Sequence, residues 1–398
     1  MPDPARIAAR LQELWDIALG PGGGADRPAY SAAEAAAMRL VAGWAREAGL
    51  EPALDAFGNL WALPADRGGR LVTSGSHVDT VPDGGRYDGA LGTVLALEAA
   101  AELGARTGLL ICAAEEAPRF GAGTMGSRQL TGALSRAALE RLRDADNVSA
   151  ADALAAYLEM LDDLPRIAPP LDRLRAHAEV HVAQRRALRE LGVVTAVASP
   201  RRFAVRIEGQ AGHSGEVSMA ERRDALAAAA EVVLAVEAAA RAEPPETVAT
   251  VGTLAVEPGA VSVIPGAVRL AIDVRGIDAE SLARVEAAIR TAVDQIAQAR
   301  QVGAQLQVTR AGEPVAMDRR LVAAALAASG ELGIPATETW SGAGHDAQHL
   351  TALTPALLVF VPLHGGESHT PQEGADMDEI IQAARVVVSV LGAEVDAV

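Results

Sequence analysis

The stretch Leu71-Val72-Thr73-Ser74-Gly75-Ser76-His77-Val78-Asp79 passes from apolar and β-branched residues through glycine to two ionisable side chains. Leu71 to Ser74 reads as a buried strand, and Gly75 to Asp79 as a loop at its carboxyl end. The same change recurs at Gly108 to Ala113, followed at once by Glu115 and Glu116. Ligand sites of open α/β sheets lie beyond the carboxyl ends of strands, so both loops stand where chemistry is expected. Up to about residue 200 such runs alternate with alanine-rich helical stretches, which implies an α/β sheet domain.

Further along, from Arg201 to Arg310, the pattern changes. It reads as strand Phe203 to Glu208, helix Met219 to Ala240, strands Val248 to Val256 and Val268 to Val274, helix Ala279 to Ala299, and strand Gln305 to Thr309. This β-α-β-β-α-β order is the split βαβ arrangement of ferredoxin-like domains. The expected division is 1–199 for the first part of a catalytic domain, 200–314 for an inserted lid or dimerisation domain, and 315–398 for the rest of the catalytic domain. The last part contains a helix around Leu321 to Ala328 and a buried strand, Ala356 to Val361. A chain of 398 residues also favours two domains by length. No internal repeat is present.

With 52 acidic against 35 basic residues, the formal charge of −17 repels phosphate backbones and anionic lipid surfaces, so nucleic acid and membrane are not expected partners. Cys112, the single cysteine, excludes an intrachain disulfide and sits in an apolar run, as inert packing. Met1 to Leu19 reads as an amphipathic helix without the basic start of a secretion signal, and no apolar run is long enough to span a bilayer. A cytoplasmic protein is expected.

The ionisable residues after the strands form a candidate centre. In His77-Val78-Asp79 the two side chains lie on one side of an extended backbone, so Asp79 can hydrogen-bond the imidazole while its other nitrogen binds a metal. A histidine in a polar loop is the plainer reading. Asp88, in Gly84-Gly85-Arg86-Tyr87-Asp88-Gly89, supplies a hard oxygen, although a tight turn explains the glycines equally. Glu115 and Glu116 are adjacent acids, which repel unless a cation lies between them or one has another task. His177 and His369 complete a set. His77, Asp88, Glu116, His177 and His369 are nitrogen and oxygen donors with no thiolate, which suits zinc in an open site. Five donors with a bridging carboxylate point to two ions about 3.5–4 Å apart.

These residues, in this order and context, resemble the dinuclear zinc branch of the aminoacylase and carboxypeptidase group. The strings Gly75 to Pro82, Ser341 to Gln348 and Phe360 to Pro362 are similar to its subgroup of N-carbamoyl-L-amino-acid hydrolases, allantoate amidohydrolases and β-ureidopropionases. The resemblance implies a zinc-peptidase-like mixed sheet flanked by helices, carrying an inserted ferredoxin-like domain. It also implies that Asp88 bridges two Zn²⁺ ions, with Mn²⁺, Co²⁺ or Ni²⁺ as substitutes, and that Glu115 is the general base. His213, in Gly212-His213-Ser214-Gly215, is implied to reach the site of a partner subunit, which makes a homodimer through the inserted domain the expected assembly. An oxyanion donor of that kind is worth ~2.7–4 kcal/mol. Without the resemblance, His213 reads as a surface histidine in a glycine turn.

For substrate, Arg275 is the candidate to hold an α-carboxylate, with an ion pair to Asp273 or Asp278 as the alternative. The loop containing Gly344 and His345 offers backbone N–H groups or forms a plain turn. The sequence departs from the subgroup at several positions. Val180 and His181 stand where glutamine and glycine are expected after His177-x-Glu179, Ser262 replaces an asparagine, and Glu216-Val217-Ser218 replaces Thr-Thr-Pro. Loss of polar substrate contacts suggests altered specificity. N-carbamoyl-L-amino acids lead as substrates, with allantoate and N-acyl amino acids or small peptides as alternatives. A metal-binding interaction protein without turnover is the alternative of another class, and the retained Glu115 speaks against it.

Overall fold

A computed structural model of the chain describes residues 2–65, 68–104, 107–184 and 188–396. Two compact units emerge, Met1–Thr195 with Met317–Thr339 and Gly344–Val398, and Ala196–Ala316 with Trp340–Ala343. The short return of Trp340–Ala343 to the second unit was not legible as a domain crossing in the sequence.

The first unit is built on a mixed sheet flanked by helices. Its strands are β1 (Leu50–Leu54), β2 (Leu60–Pro64), β3 (Leu71–Ser74), β4 (Thr107–Ile111), β5 (Leu174–Val182) and β6 (Leu191–Val197), joined later by β14 (Ala336–Ser341) and β15 (Ala356–Val361). The sheet order is β1-β2-β4-β3-β5-β15-β6, with β14 also paired to β6. The central strands β4, β3, β5 and β15 run parallel, so their carboxyl ends share one edge. β1, β2 and β6 pair antiparallel at the flanks. The central strands are buried almost throughout, as their unbroken apolar sequences require of a sheet covered on both faces.

The helices of this unit are α1 (Pro4–Trp15), α2 (Ala32–Glu47), α3 (Ala90–Leu103), α4 (Met125–Leu130), α5 (Arg136–Leu139), α6 (Ala150–Met160), α9 (Arg319–Leu332), α10 (Asp346–Leu350) and α11 (Met377–Asp396). Helix α1 begins later than Met1, which itself lies outside the described residues, because the Asp3 carboxylate accepts the Ala5 N–H at 2.9 Å and Pro4 takes the first turn. Helix α3 is buried from Ala90 to Ala100 and packs on β5, β4 and β3. Its apolar surface on all sides is that of a core helix.

In the second unit, β7 (Arg201–Glu208), α7 (Ala225–Arg241), β9 (Val248–Glu257), β11 (Ala267–Arg275), α8 (Ala279–Arg300) and β12 (Gly303–Ala311) follow one another along the chain. The sheet order is β12-β7-β11-β9, with every neighbouring pair antiparallel. That is the ferredoxin-like arrangement. Both helices pack on one face, where Phe203, Val205, Ile207, Leu270 and Ile272 meet Val232, Val236, Val285 and Ile289. Two-residue strands β8 (Gly212–His213) and β10 (Val263–Ile264) form a separate pair, and β13 (Val315–Ala316) pairs with the end of β6. Helix α7 starts at Ala225 rather than Met219, because the Asp224 side chain accepts the N–H groups of Leu226 and Ala227 and caps it there.

Candidate metal centre and active site

The site is assembled at the shared carboxyl edge of the central strands. Beyond β3, His77 forms a bridge to Cys112 beyond β4, which carries the sheet pairing into the loops. His77 is fully buried, and its Nδ1 lies 3.0 Å from the Asp79 carbonyl oxygen. A donating Nδ1–H there leaves Nε2 as the free electron pair. The Asp79 carboxylate itself is 3.4 Å from Nδ1, but its hydrogen bonds go to the Glu115 N–H at 3.1 Å and the Glu116 N–H at 2.9 Å. The bond to the imidazole expected of the Asp79 carboxylate is thus made by its backbone carbonyl, and the carboxylate instead fastens the paired acids to the histidine loop.

Asp88 precedes Gly89, whose φ of +65° opens helix α3. A Cβ at Gly89 would fall 2.4 Å from the His77 ring, so both backbone conformation and close approach demand glycine here. The Asp88 oxygens diverge. Oδ1 lies 3.1 Å from His181 Nε2 and 3.5 Å from His77 Nε2. Oδ2 lies 3.1 Å from His369 Nε2, which is 3.5 Å from Glu116 Oε1. Two donor sets share this one carboxylate, His77–Asp88–His181 and Asp88–Glu116–His369.

The structure thus brings together His77, Asp88, Glu116 and His369, but not His177. The expected role of His177 is corrected by the register of β5. Thr73 pairs with His177 and Ser74, the last residue of β3, pairs with Ala178. His177 is therefore level with the body of the sheet, whereas β5 runs on past the end of β3 to Val182, and His181 stands at the edge. Both histidines point to the same face because they are an even number of residues apart. At about 3.3 Å per residue, four residues separate them by ~13 Å. His177 Nδ1 lies 3.0 Å from the Thr73 hydroxyl, and burial pushes its pKa down to about 3.

Read from His181, the expected glutamine falls on Gln184, whose Nε2 is 3.4 Å from Asp88 Oδ2 and 3.2 Å from His369 Nε2. Val180 is a buried core residue facing the other side of β5. Glu179, on the same face as His181, accepts the Ser76 hydroxyl at 2.9 Å and the Ala347 N–H at 2.7 Å, tying β5 to helix α10. His345 caps that helix, with its ring centroid 4.5 Å from that of His181 and 5.3 Å from Phe360. It also joins Glu179 and His181 in a third cluster of donors.

Charge in this pocket is out of balance in a way that fits cations. Burial first, and the Asp88 charge next, push Glu116 up to about 7. Glu115 is raised well above the carboxylate range by burial, with the Glu116 charge adding to it. Burial opposes ionisation of Asp88, but the surrounding imidazoles hold its carboxyl low. Acids packed this closely repel unless positive charge lies among them, and the converging imidazole nitrogens and carboxylate oxygens are a donor set for such ions. Glu115 Oε2 is 3.8 Å from His77 Nε2, yet Glu115 belongs to neither set around Asp88.

Within the second unit, His213 is exposed and pairs with Val263 across β8 and β10, which places Ser262 alongside, its carbonyl accepting the Ser214 N–H at 3.0 Å. Arg275 donates to Asp273 at 2.7 Å and to the Gly342 carbonyl at 2.9 Å, so its expected ion-pair alternative is realised with Asp273. Gly344, in the first unit, is exposed, next to the buried His345.

Residues 74–393 match the model of "Peptidase family M20/M25/M40". An N-carbamoyl-L-amino acid amidohydrolase of Geobacillus stearothermophilus is 35% identical over 395 residues, covering 96% of each chain. An allantoate amidohydrolase of Bacillus subtilis (strain 168) is 32% identical over 357 residues, covering 86% of each. Among solved structures, an amidase of the hydantoinase/carbamoylase family from Burkholderia multivorans superposes with a TM-score of 0.89 at 32% identity, covering 98% of each chain.

Proposed function

The chain belongs to peptidase family M20/M25/M40, and on that premise we propose that it is a two-zinc amidohydrolase converting an N-carbamoyl-L-amino acid to the L-amino acid, carbon dioxide and ammonia. Hydrolysis of a linear amide is the chemistry it shares with relatives named N-carbamoyl-L-amino acid amidohydrolase and allantoate amidohydrolase. The observation that carries the reading is the sharing of Asp88 by two donor sets, with Glu115 beside them.

Nitrogen and oxygen donors without thiolate suit zinc, with manganese, cobalt or nickel as substitutes. Ions bound there supply Lewis acidity, which lowers the pKa of water and polarises a carbonyl oxygen. His77, Asp88 and His181 would hold one, and Asp88, Glu116 and His369 the other. Glu115 takes the proton of the attacking water and delivers it to the leaving nitrogen. Asp79 keeps Glu115 at its post through the peptide N–H, and Gln184, near Asp88 and His369, offers an amide to the substrate. A homodimer through the second unit, with His213 as oxyanion donor, completes the proposal. An acidic chain whose one cysteine is buried suits the cytoplasm; among the described residues no helix is long and apolar enough to cross a membrane.

The test combines a substrate panel with a variant. Zinc-loaded protein is assayed on N-carbamoyl, N-formyl and N-acetyl L-amino acids and on allantoate, with N-carbamoyl compounds expected to turn over fastest. Glu115→Gln is expected to retain metal while losing ~10²–10⁴-fold in kcat. Full activity of that variant removes Glu115 as the base, and absence of turnover on the whole panel favours the metal-binding protein without catalysis.

A further inference from the structure

The two donor sets are held by different means. His181 belongs to strand β5 and His77 to the bridge beside β4, so sheet pairing fixes the two donors of the first set other than the shared Asp88. Asp88 and His369 come from separate loops, one leading into α3 and the other following β15, yet their side chains meet at 3.1 Å. Glu373 is hydrogen-bonded to both loops. Its Oε1 accepts the Tyr87 N–H at 2.7 Å and the Asp88 N–H at 3.0 Å, and its Oε2 accepts the Ser368 hydroxyl at 3.1 Å. The same hydroxyl lies 3.3 Å from Asp88 Oδ2, so a single proton is shared between two carboxylates.

Glu373 is only 6% exposed, and a buried acid facing Asp88 is costly unless its bonds achieve something. The chain makes room for it, since a Cβ on Gly85 would fall 2.2 Å from the Glu373 carboxyl carbon. We propose that Glu373 is a positioning residue that clamps the Asp88 loop to the His369 loop and thereby sets the affinity of the Asp88–Glu116–His369 donor set for its ion. The proposal rests on the two-set reading of the centre. Outer hydrogen bonds of this kind change metal affinity by about 10–100-fold, and the larger effect here falls on the ion of this set, because Glu373 holds the loops of two of its donors, whereas the sheet holds two of the three donors of the other.

Zn²⁺ is titrated into the metal-stripped full chain by calorimetry, with bound zinc counted by elemental analysis and fold checked by circular dichroism. The wild type is expected to bind two ions. Glu373→Ala is expected to keep one near wild-type affinity and to bind the other about 10–100-fold more weakly. Glu373→Asp, which retains the charge but retracts it, changes in the same direction and serves if the alanine variant does not fold. Glu373→Gln restores wild-type binding, because its amide oxygen still accepts both peptide N–H groups while the Ser368 hydroxyl turns to Asp88. Combined with His369→Ala, Glu373→Ala adds no further loss, as expected of two changes acting on one ion. A folded Glu373→Ala that keeps both ions, or loses both equally, overturns the proposal. A wild type that binds one ion overturns the two-set reading and the proposal with it.

Discussion

The two units bury different things. Among the described residues, every buried charged or histidine side chain, from Arg10 and Arg27 through His77, Asp79, Asp88, Glu116, His181 and Asp346 to Glu394, belongs to the first unit. In the second, the buried polar residues are Ser199, Thr247, Ser281 and Ser341, and the core between sheet and helices is apolar. Taking a charge out of water is expensive unless partners compensate, so gathering His77, Asp88, Glu116 and His181 at one sheet edge costs the first unit stability there. The second unit makes no such sacrifice. Substitutions of buried residues in the two units should therefore separate, one class altering metal and catalysis and the other altering stability alone.

The largest separation is expected at the two histidines of β5. His181→Ala should lose one of two zinc ions and bring activity to background, whereas His177→Ala should keep both ions, as read by elemental analysis of purified protein. Equal loss of metal in the two variants would mean that the register argument for His181 is wrong. In the second unit, Ile272, 1% exposed, packs under α7 and α8. Ile272→Ala should destabilise that unit by about 2–5 kcal/mol in urea unfolding while leaving zinc stoichiometry unchanged. A change in bound zinc there would break the separation.

A smaller effect concerns acid. Burial holds His177 at about 3, below its ordinary 6.5, so between those values the unfolded chain binds the extra proton. Stability from this group is therefore full above about pH 6.5 and is lost as the pH falls toward 3. His177→Gln should lower its urea midpoint less than the wild type does between pH of about 6.5 and 5. Parallel curves for the two proteins would show that His177 is not a buried neutral imidazole.

These histidines also mark how far the sequence can be read. The alternation of apolar runs and helices, and the β-α-β-β-α-β order of the later segment, carry the fold because hydrophobic period and element order are local properties. That His77, Asp88, Glu116 and His369 come together was legible because each follows a strand or the turn after one. His177 and His181 share one strand and one face, and only the pairing of Thr73 with His177 and Ser74 with Ala178 tells them apart. Register of this kind is a tertiary property. Gln184 had a signal, its spacing from His181, that a misplaced histidine concealed. Glu373 had none beyond following His369, since its bonds run to the peptide groups of Tyr87 and Asp88, far away in the chain.

The most direct test is a crystal structure of the zinc-soaked protein with anomalous data collected across the zinc absorption edge. Two peaks about 3.5–4 Å apart should appear on either side of Asp88, one against His77 and His181 and the other against Glu116 and His369. A single peak, or one coordinated by His177, would contradict the account.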